Sequence, residues 1–238
     1  MSSEYGFKGA RNEEYQLIRK VYPHFGEMQR LVAETVSRHA GGRLVRVADL
    51  SCGDGQMAHT ILSACPTAHV VALDNEEKMI QQAGDNLEEF VREGRCQLEC
   101  HDALVFFSSQ SSDSFDVVAS ALTLHNLLQA ARHQLHGEIL RVLKPGGLFV
   151  NADKYAEGDA ERFHALGVTL GRFFDTFVPL GKLDLLRAWV LHNVADQGPE
   201  RVMKEIETVE ELKRLGFATV NTSSRMNMEA LLVATKAV

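Results

Sequence analysis

The fold is decided at Asp49-Leu50-Ser51-Cys52-Gly53-Asp54-Gly55, a glycine-rich turn between two periodic segments. The apolar, β-rich run at residues 44–48 precedes the turn, and residues 57–62 have the pattern of a helix that leaves it. A strand that enters a helix through such a turn is typical of nucleotide-binding α/β proteins. We therefore predict a β-turn-α unit with a ligand site at the turn.

Strands and helices alternate on the C-terminal side of this unit. Further strands are predicted at residues 69–73, 96–100, 115–119 and 148–150, with one long helix at 80–90 and another at 128–142. Residues 217–221 and 230–235 predict a β-hairpin after a helix near 208–215. Alternation favours parallel pairing with right-handed crossovers. The predicted fold class is α/β, a doubly wound, mostly parallel seven-stranded sheet with helices on both faces and a C-terminal β-hairpin.

Two regions of the chain depart from this alternation. Amphipathic helices interrupted at Pro23 come first, and about forty residues without strand pattern follow Asp153, which predicts a helical cap insertion. The predicted organisation is N-terminal helices that cover the cofactor site (1–42), the cofactor-binding core (43–154), the cap over the substrate site (155–195) and the C-terminal helix with its hairpin (196–238).

Polar and glycine residues recur at the predicted carboxyl ends of the strands. They are found at 49–55, at Asp74, at Asp102 and at 120–125. Ligands of open α/β sheets bind at this edge. One crevice is therefore expected to collect these residues.

The charge near the turn distinguishes two cofactor classes. Residues 53–58 satisfy a dinucleotide fingerprint, with Asp74 about twenty residues downstream as ribose acceptor. However, Asp49 and Asp54 flank the turn, and no Lys or Arg lies between Val47 and Pro66. Carboxylates disfavour an anionic pyrophosphate, whereas they favour the ammonium and sulfonium of S-adenosylmethionine. The sequence therefore predicts S-adenosylmethionine as cofactor and S-adenosylhomocysteine as its product.

From about Val45 onward the chain resembles the class I S-adenosylmethionine-dependent methyltransferases. The resemblance is carried by residues 47–55, 72–74, 101–103, 115–126 and 140–147. It implies that the turn approaches the methionyl part, that Asp74 accepts the ribose hydroxyls and that Asp102 and Ala103 meet the adenine. The predicted cofactor-binding residues are Asp49, Ser51, Gly53, Gly55, Asp74, Asn75, Met79, Asp102, Ala103 and Ser120.

Ser51 departs from the family pattern, which usually has a glycine there. A serine is expected to be tolerated if this position keeps a negative φ and its hydroxyl faces the ligand.

Methyl transfer from a sulfonium needs alignment, exclusion of water and, for some acceptors, a base. His125 is the first candidate because it follows the fourth strand, where this family places a residue beside the methyl group; a structural hydrogen bond at a helix start is the equal alternative. Tyr22 and His24 are second candidates, since such N-terminal segments often fold over the cofactor in this family; a structural role is the alternative for both. In the cap, Arg172, Phe173, Arg187 and Trp189 are candidates for a small, partly apolar substrate that carries a carboxylate.

The C-terminal half is also similar to carboxy-S-adenosylmethionine synthase. Residues 152–155, 186–194 and 212–217 carry this likeness, which implies that Arg187 holds a cofactor carboxylate. The glycine turn and His125 differ from that family, so this synthase is the alternative function. A catalytically inactive cofactor-binding protein is a third hypothesis, to which only Ser51 points.

Composition excludes several other classes. The net charge is −7 and no basic run exceeds two residues, which disfavours nucleic-acid binding. No signal sequence or membrane span is apparent, so a cytoplasmic enzyme is expected. Cys96, Cys100, His101 and Asp102 fit a strand with buried cysteines better than a metal site, and no metal is predicted. The sequence leaves the oligomeric state open, a homodimer included.

Overall fold

The computed structural model describes residues 17–238 and shows a mixed seven-stranded sheet of order β3-β2-β1-β4-β5-β7-β6. The strands are β1 Val45–Leu50, β2 Ala68–Asp74, β3 Cys96–Cys100, β4 Phe115–Ala121, β5 Leu143–Lys154, β6 Phe217–Met226 and β7 Glu229–Lys236. β1 to β5 are parallel, and the β6–β7 hairpin joins β5 antiparallel. The predicted fold class is confirmed.

Strand order reverses at β1 and β4, because β1 pairs in parallel with β2 on one side and with β4 on the other. Chain connections leave in opposite directions at such a point, and this opens a crevice at the carboxyl ends of the strands. The glycine turn follows β1 and His125 follows β4, so both line the edge where the crevice opens.

The helices cover both faces of the sheet. They are α1 Ile18–Val21, α2 Phe25–Ala40, α3 Gln56–Ala64, α4 Glu77–Asn86, α5 Glu88–Arg92, α6 Ala103–Ser109, α7 Gln129–Val142, α8 Asp159–Phe177, α9 Leu183–Ala195 and α10 Glu205–Leu215. One apolar core lies under α2 and α3, and a second lies under α6, α7 and α10. No helix of the described residues is long and apolar enough to cross a membrane.

Four local expectations were wrong. The long helix at 80–90 is two helices that meet at Leu87, whose buried side chain packs beneath the glycine turn. Helix α6 was not predicted, and β5 begins at Leu143 rather than at 148. Cys100 is exposed, although Cys96 is buried as expected.

The cap consists of α8 and α9, and it encloses a third apolar cluster with the N-terminal helices. Phe173 stacks on Phe177 and on Trp189, with centroid distances of 5.9 and 6.1 Å. Tyr22 meets Phe173 edge-on at 6.1 Å. Of the predicted N-terminal unit, residues 1–16 lie outside the described residues.

Candidate functional site

The glycine turn is built from left-handed backbone. φ is 57° at Ser51, 55° at Gly53 and 83° at Gly55. A Cβ at Gly55 would lie 2.8 Å from Leu87 Cδ1, so this glycine allows α3 to pack closely against α4 and α5. Gly55 therefore has a packing role that exists without any ligand.

Ser51 does not keep the negative φ that we expected. A non-glycine residue in left-handed conformation costs roughly 1–2 kcal/mol. Ser51 is exposed. Strain at a ligand-binding turn is common where the surrounding structure fixes the backbone, and here the neighbouring Cys52 N–H donates to the Leu73 carbonyl at 2.9 Å.

Asp74 ends β2 and fixes the turn to that strand. One carboxylate oxygen accepts the Gly53 N–H and the other accepts the Glu76 N–H, each at 3.0 Å. Burial raises the pKa of Asp74, although these backbone donors oppose the increase. Each oxygen keeps a second lone pair for a further donor, as a ribose diol requires. Of the next predicted residues, Asn75 is exposed and Met79 is buried.

Asp49 is a buried carboxyl group beneath the turn. It is fully buried, and neither oxygen has a partner with ordinary hydrogen-bond geometry among the described residues. Burial raises its pKa to about 8, and the Ala58 N–H opposes this only partly. The Ser120 hydroxyl at the end of β4 is likewise buried without a hydrogen-bond partner there. Such groups require an explanation in a native fold, and a cationic ligand with polar hydrogens supplies one.

The charge of the turn differs from the sequence expectation. Arg19 of α1 donates to Asp54 at 2.8 Å, so a cation from 35 residues upstream lies against the turn. Asp49, with a pKa near 8, is mostly neutral at pH 7. The turn is therefore less negative than its sequence indicates.

Asp102 and Ala103 lie where β3 passes into α6. Asp102 is exposed, and its Oδ1 accepts the N–H groups of Leu104 and Val105 at 2.9 and 3.2 Å. This is an N-cap, which accounts for the start of the unpredicted helix. The other carboxylate oxygen is left for a ligand.

His125 and Asp153 form a buried dyad across the crevice from the turn. The His125 Nδ1 lies 2.6 Å from Asp153 Oδ1. Asp153 also accepts the N–H groups of Thr123, Leu124 and Lys154. Burial raises the pKa of Asp153, but the His125 ring and these donors outweigh burial and lower it. The pairing of Nδ1 with the carboxylate fixes the orientation of the ring and leaves Nε2 on its other side.

Arg132 of α7 holds the turn that carries His125. Its buried guanidinium donates to the carbonyls of Leu124, Leu127 and Arg201 at 3.0 to 3.2 Å. These hydrogen bonds fix the position of the 3₁₀ turn Leu124–Asn126. Sequence reasoning missed Arg132, Asp196 and the role of Asp153. For Asp153 a signal existed, because it lies at the carboxyl end of β5, next to β4.

Tyr22 joins the N-terminal helices to the cap. Its hydroxyl donates to Asn193 Oδ1 at 2.7 Å, and Lys154 Nζ donates to it at 3.3 Å. Burial disfavours the charged Lys154, but Tyr22 and Asp196 outweigh burial and raise the pKa of Lys154. His24 is half-buried at the start of α2, and no hydrogen bond of the described residues links it to His125.

The predicted substrate residues of the cap fall into three positions. Phe173 and Trp189 are buried in the aromatic stack. Arg172 lines a narrow cavity with Lys154, Thr169 and Asn193. Arg187 is exposed, on the side of α9 away from buried Leu186 and Trp189.

Part of the chain matches a known protein family. A family model described as a methyltransferase domain matches residues 47–147, which include the glycine turn, Asp74, Asp102 and His125. Residues 47–147, less than half of the chain, therefore resemble a class I S-adenosylmethionine-dependent methyltransferase domain. The cofactor of such a domain is S-adenosylmethionine, which confirms the cofactor prediction.

Two relatives of the methyltransferase domain show how far the likeness extends. A demethylmenaquinone methyltransferase of Leptospira interrogans is 32% identical over 155 residues, which are 61% of this chain and 60% of that protein. A carboxy-S-adenosyl-L-methionine synthase of Shewanella sediminis is 25% identical over 226 residues, which are 92% of this chain and 87% of that one.

A solved structure shares the architecture of the whole chain. An O-methyltransferase family protein from Burkholderia thailandensis aligns with a TM-score of 0.69 and 16% identity, covering 99% of this chain and 62% of that one. At this identity the likeness shows the fold alone.

Proposed function

We propose that the protein transfers the methyl group of S-adenosylmethionine in line to a small-molecule acceptor beside His125. The observation that carries this proposal is the buried His125–Asp153 dyad, 2.6 Å between Nδ1 and Oδ1, at the end of β4. A histidine oriented by an ionised carboxylate through Nδ1 presents Nε2 for proton transfer. His125 orients the acceptor and accepts its proton, and Asp153 is its positioning residue.

The glycine turn and the neighbouring strand ends are the proposed binding site for S-adenosylmethionine. The proposed contacts are the predicted set: Asp49, Ser51, Gly53, Gly55, Asp74, Asn75, Met79, Asp102, Ala103 and Ser120. Two observations support them, the unpartnered Asp49 carboxyl and the pair of Asp74 oxygens with one free lone pair each. When bound, the cofactor supplies an electrophilic methyl group on a sulfonium. The chain then has only to align the acceptor and exclude water.

The cap supports a small acceptor with an anionic group. The cavity beside Tyr22 carries the cationic side chains of Lys154 and Arg172 next to the Asn193 amide. The aromatic stack of Phe173 and Trp189 adjoins Tyr22 and gives the region an apolar side. Arg172 and Lys154 are the proposed contacts to a carboxylate of the acceptor.

Mass spectrometry tests this function. The purified protein is incubated with S-adenosylmethionine labelled in the methyl group and with a library of small hydroxyl, amino and carboxyl compounds. A labelled methyl product together with S-adenosylhomocysteine supports the proposal. A protein that binds the cofactor but forms neither compound with any acceptor contradicts it.

A carboxy-S-adenosylmethionine synthase is the second candidate, because the relative of that name is covered almost along its length. That reading needs Arg187 to hold a cofactor carboxylate, whereas Arg187 is exposed. The small molecules that copurify with the protein separate the two functions. A carboxylated cofactor supports the synthase, and S-adenosylmethionine or S-adenosylhomocysteine supports the methyltransferase.

A further inference from the structure

A second set of buried side chains meets on the far side of the His125 ring. His125, His192 and Asp196 each direct one ligand-type atom into a common space, and these three atoms lie within 4.8 Å of one another. His192 and Asp196 lie on and just beyond the last turn of α9, whereas His125 belongs to the sheet edge. All three residues are buried, with exposures of 7% or less.

The distances are those of ligands that share an ion rather than of direct hydrogen bonds. Asp196 Oδ2 lies 3.7 Å from His125 Nε2 and 3.6 Å from His192 Nε2. Both distances exceed the hydrogen-bond range. Two ligands of one tetrahedral ion, each about 2.1 Å from it, lie about 3.4 Å apart. Small side-chain movements would therefore bring these atoms to coordination distance.

The missing hydrogen bond of Asp196 also supports a bound cation. Asp196 Oδ2 is buried and has no hydrogen-bond partner among the described residues. Nδ1 of His125 is paired with Asp153, so Nε2 is the ring atom that faces Asp196, at 3.7 Å. Two buried ligand-type atoms that lie this close without a hydrogen bond leave room for a cation between them.

The surroundings match those of known metal ligands. A histidine ligand usually donates its second ring N–H to a carboxylate, as His125 does to Asp153. The side chains of Lys154 and Arg201 lie close enough to Asp196 to interact with it electrostatically. Their positive charge disfavours weakly held cations, so the site is expected to select ions that bind imidazole strongly over Mg²⁺ and Ca²⁺.

We propose that His125, His192 and Asp196 bind one divalent transition-metal ion, of the Zn²⁺, Co²⁺ or Fe²⁺ type. Two imidazoles and one carboxylate are the donor set of catalytic zinc sites and of non-haem iron sites, which keep a position open for substrate. At this place in the fold the open position takes an oxygen of the acceptor. This inference rests on the proposed function: in the metal-free protein His125 Nε2 is the proposed base, whereas a bound ion would take Nε2 as a ligand, polarise the acceptor oxygen and let its proton pass to water.

Metal titration of the full untagged chain tests the site. After chelation and buffer exchange, Co²⁺ binding is followed by visible absorption and Zn²⁺ binding by calorimetry. We expect one equivalent of each ion to bind, and Mg²⁺ not to compete. Absence of stoichiometric binding by the wild-type protein overturns the proposal and leaves a proton shared by Asp196 as the explanation.

Three variants locate the ion. His192→Gln and Asp196→Asn are expected to lose the Co²⁺ spectrum, and Asp153→Asn to weaken binding about 10–100-fold through the orientation of His125. His164→Gln, an exposed histidine of α8, is the matched control and should bind like wild type. Unchanged binding in both ligand variants, with melting temperatures that show they are folded, contradicts the site.

The same preparations separate this inference from the proposed function. S-adenosylmethionine is titrated into the metal-free protein, because the cofactor seat shares no residue with the three ligands. Cofactor binding without metal binding overturns only the metal site. Metal binding without cofactor binding supports the metal site and contradicts the methyltransferase.

Discussion

The two halves of the crevice are built in different ways. The half proposed to hold the cofactor comprises the glycine turn, Asp74 and Asp102, at the carboxyl ends of β1, β2 and β3. Side chains nearby in the sequence hold its backbone N–H groups. The acceptor half comprises His125, Asp153, His192 and Asp196, and it is made of side chains that come from the sheet and from the cap. A common cofactor with a variable acceptor calls for this division.

The contacts of the two halves differ in how far apart their residues lie in the sequence. Asp74 reaches Gly53 across 21 residues of a single β-turn-α-β unit. Tyr22 and Asn193 are hydrogen-bonded although 171 residues separate them in the sequence. The position of Asn193 therefore depends on how the cap packs against the rest of the protein. Changes in the first half should therefore alter cofactor affinity or local stability, and changes in the second half should alter turnover.

The largest effect is expected for His125→Ala. Loss of a positioned base or metal ligand should lower the rate of methyl transfer about 10²–10⁴-fold, with S-adenosylmethionine affinity nearly unchanged. Product formation by mass spectrometry and calorimetry with the cofactor check the two parts. The control is His164→Ala, which should keep wild-type turnover. A His125 variant with full turnover would contradict the assignment of His125 to the acceptor half.

Gly55→Ala tests the packing of the cofactor half. The added methyl group meets Leu87 Cδ1 at 2.8 Å in left-handed backbone, so we expect a loss of about 2–4 kcal/mol of unfolding free energy. Gly42 has φ of +82° with open space around its Cβ position, so Gly42→Ala should cost only the backbone strain. Equal losses in denaturant unfolding would show that the contact with Leu87 does not matter.

Asp49 should make stability depend on pH. Its pKa is about 8 in the folded protein and about 3.9 in the unfolded chain, so the folded state binds the extra proton between these values. Its contribution is complete below pH 4 and is lost as the pH rises through 8, by at most about 1.4 kcal/mol per pH unit. In Asp49→Asn, the fall in unfolding free energy between pH 6 and 8 should be smaller than in wild type. Identical slopes would contradict the raised pKa.

Ser51→Gly should give the smallest effect. Glycine relieves the left-handed strain, so the unfolding free energy should rise by about 1 kcal/mol or less. Ser51→Ala keeps the strain and removes only the hydroxyl, which makes it the control. If the alanine variant alone loses cofactor affinity, the hydroxyl contacts the ligand; if glycine destabilises, the strain is not relieved and the account of this position is wrong.

Local pattern predicted the sheet and the position of the turn because period-2 and period-3.6 signals are intrinsic to each segment. The same sequence patterns did not predict the roles of residues that have both a structural and a proposed binding role. Asp102 was interpreted as an adenine contact, and its role as N-cap of α6 was missed. Similarly, the sequence predicts a strongly acidic turn. The structure shows a less acidic one, because Arg19 pairs with Asp54 and burial favours the neutral form of Asp49, and neither effect is visible in the sequence.

The acceptor half was predictable only at one point. His125 was found because it follows β4, and Asp153 follows the same rule on the neighbouring strand. His192 and Asp196 carry no such signal, since the end of a cap helix has no fixed place in the sheet. Their meeting with His125 depends on tertiary docking alone.

The central claim is that the glycine turn and Asp74 hold S-adenosylmethionine while His125 serves the acceptor. Calorimetric titration of the cofactor into wild type, Asp74→Ala and His125→Ala tests it most directly. We predict equal affinity for wild type and His125→Ala, and a loss of about 1.5–3 kcal/mol for Asp74→Ala. Binding of NAD in place of S-adenosylmethionine, or unchanged affinity in Asp74→Ala, would contradict the claim.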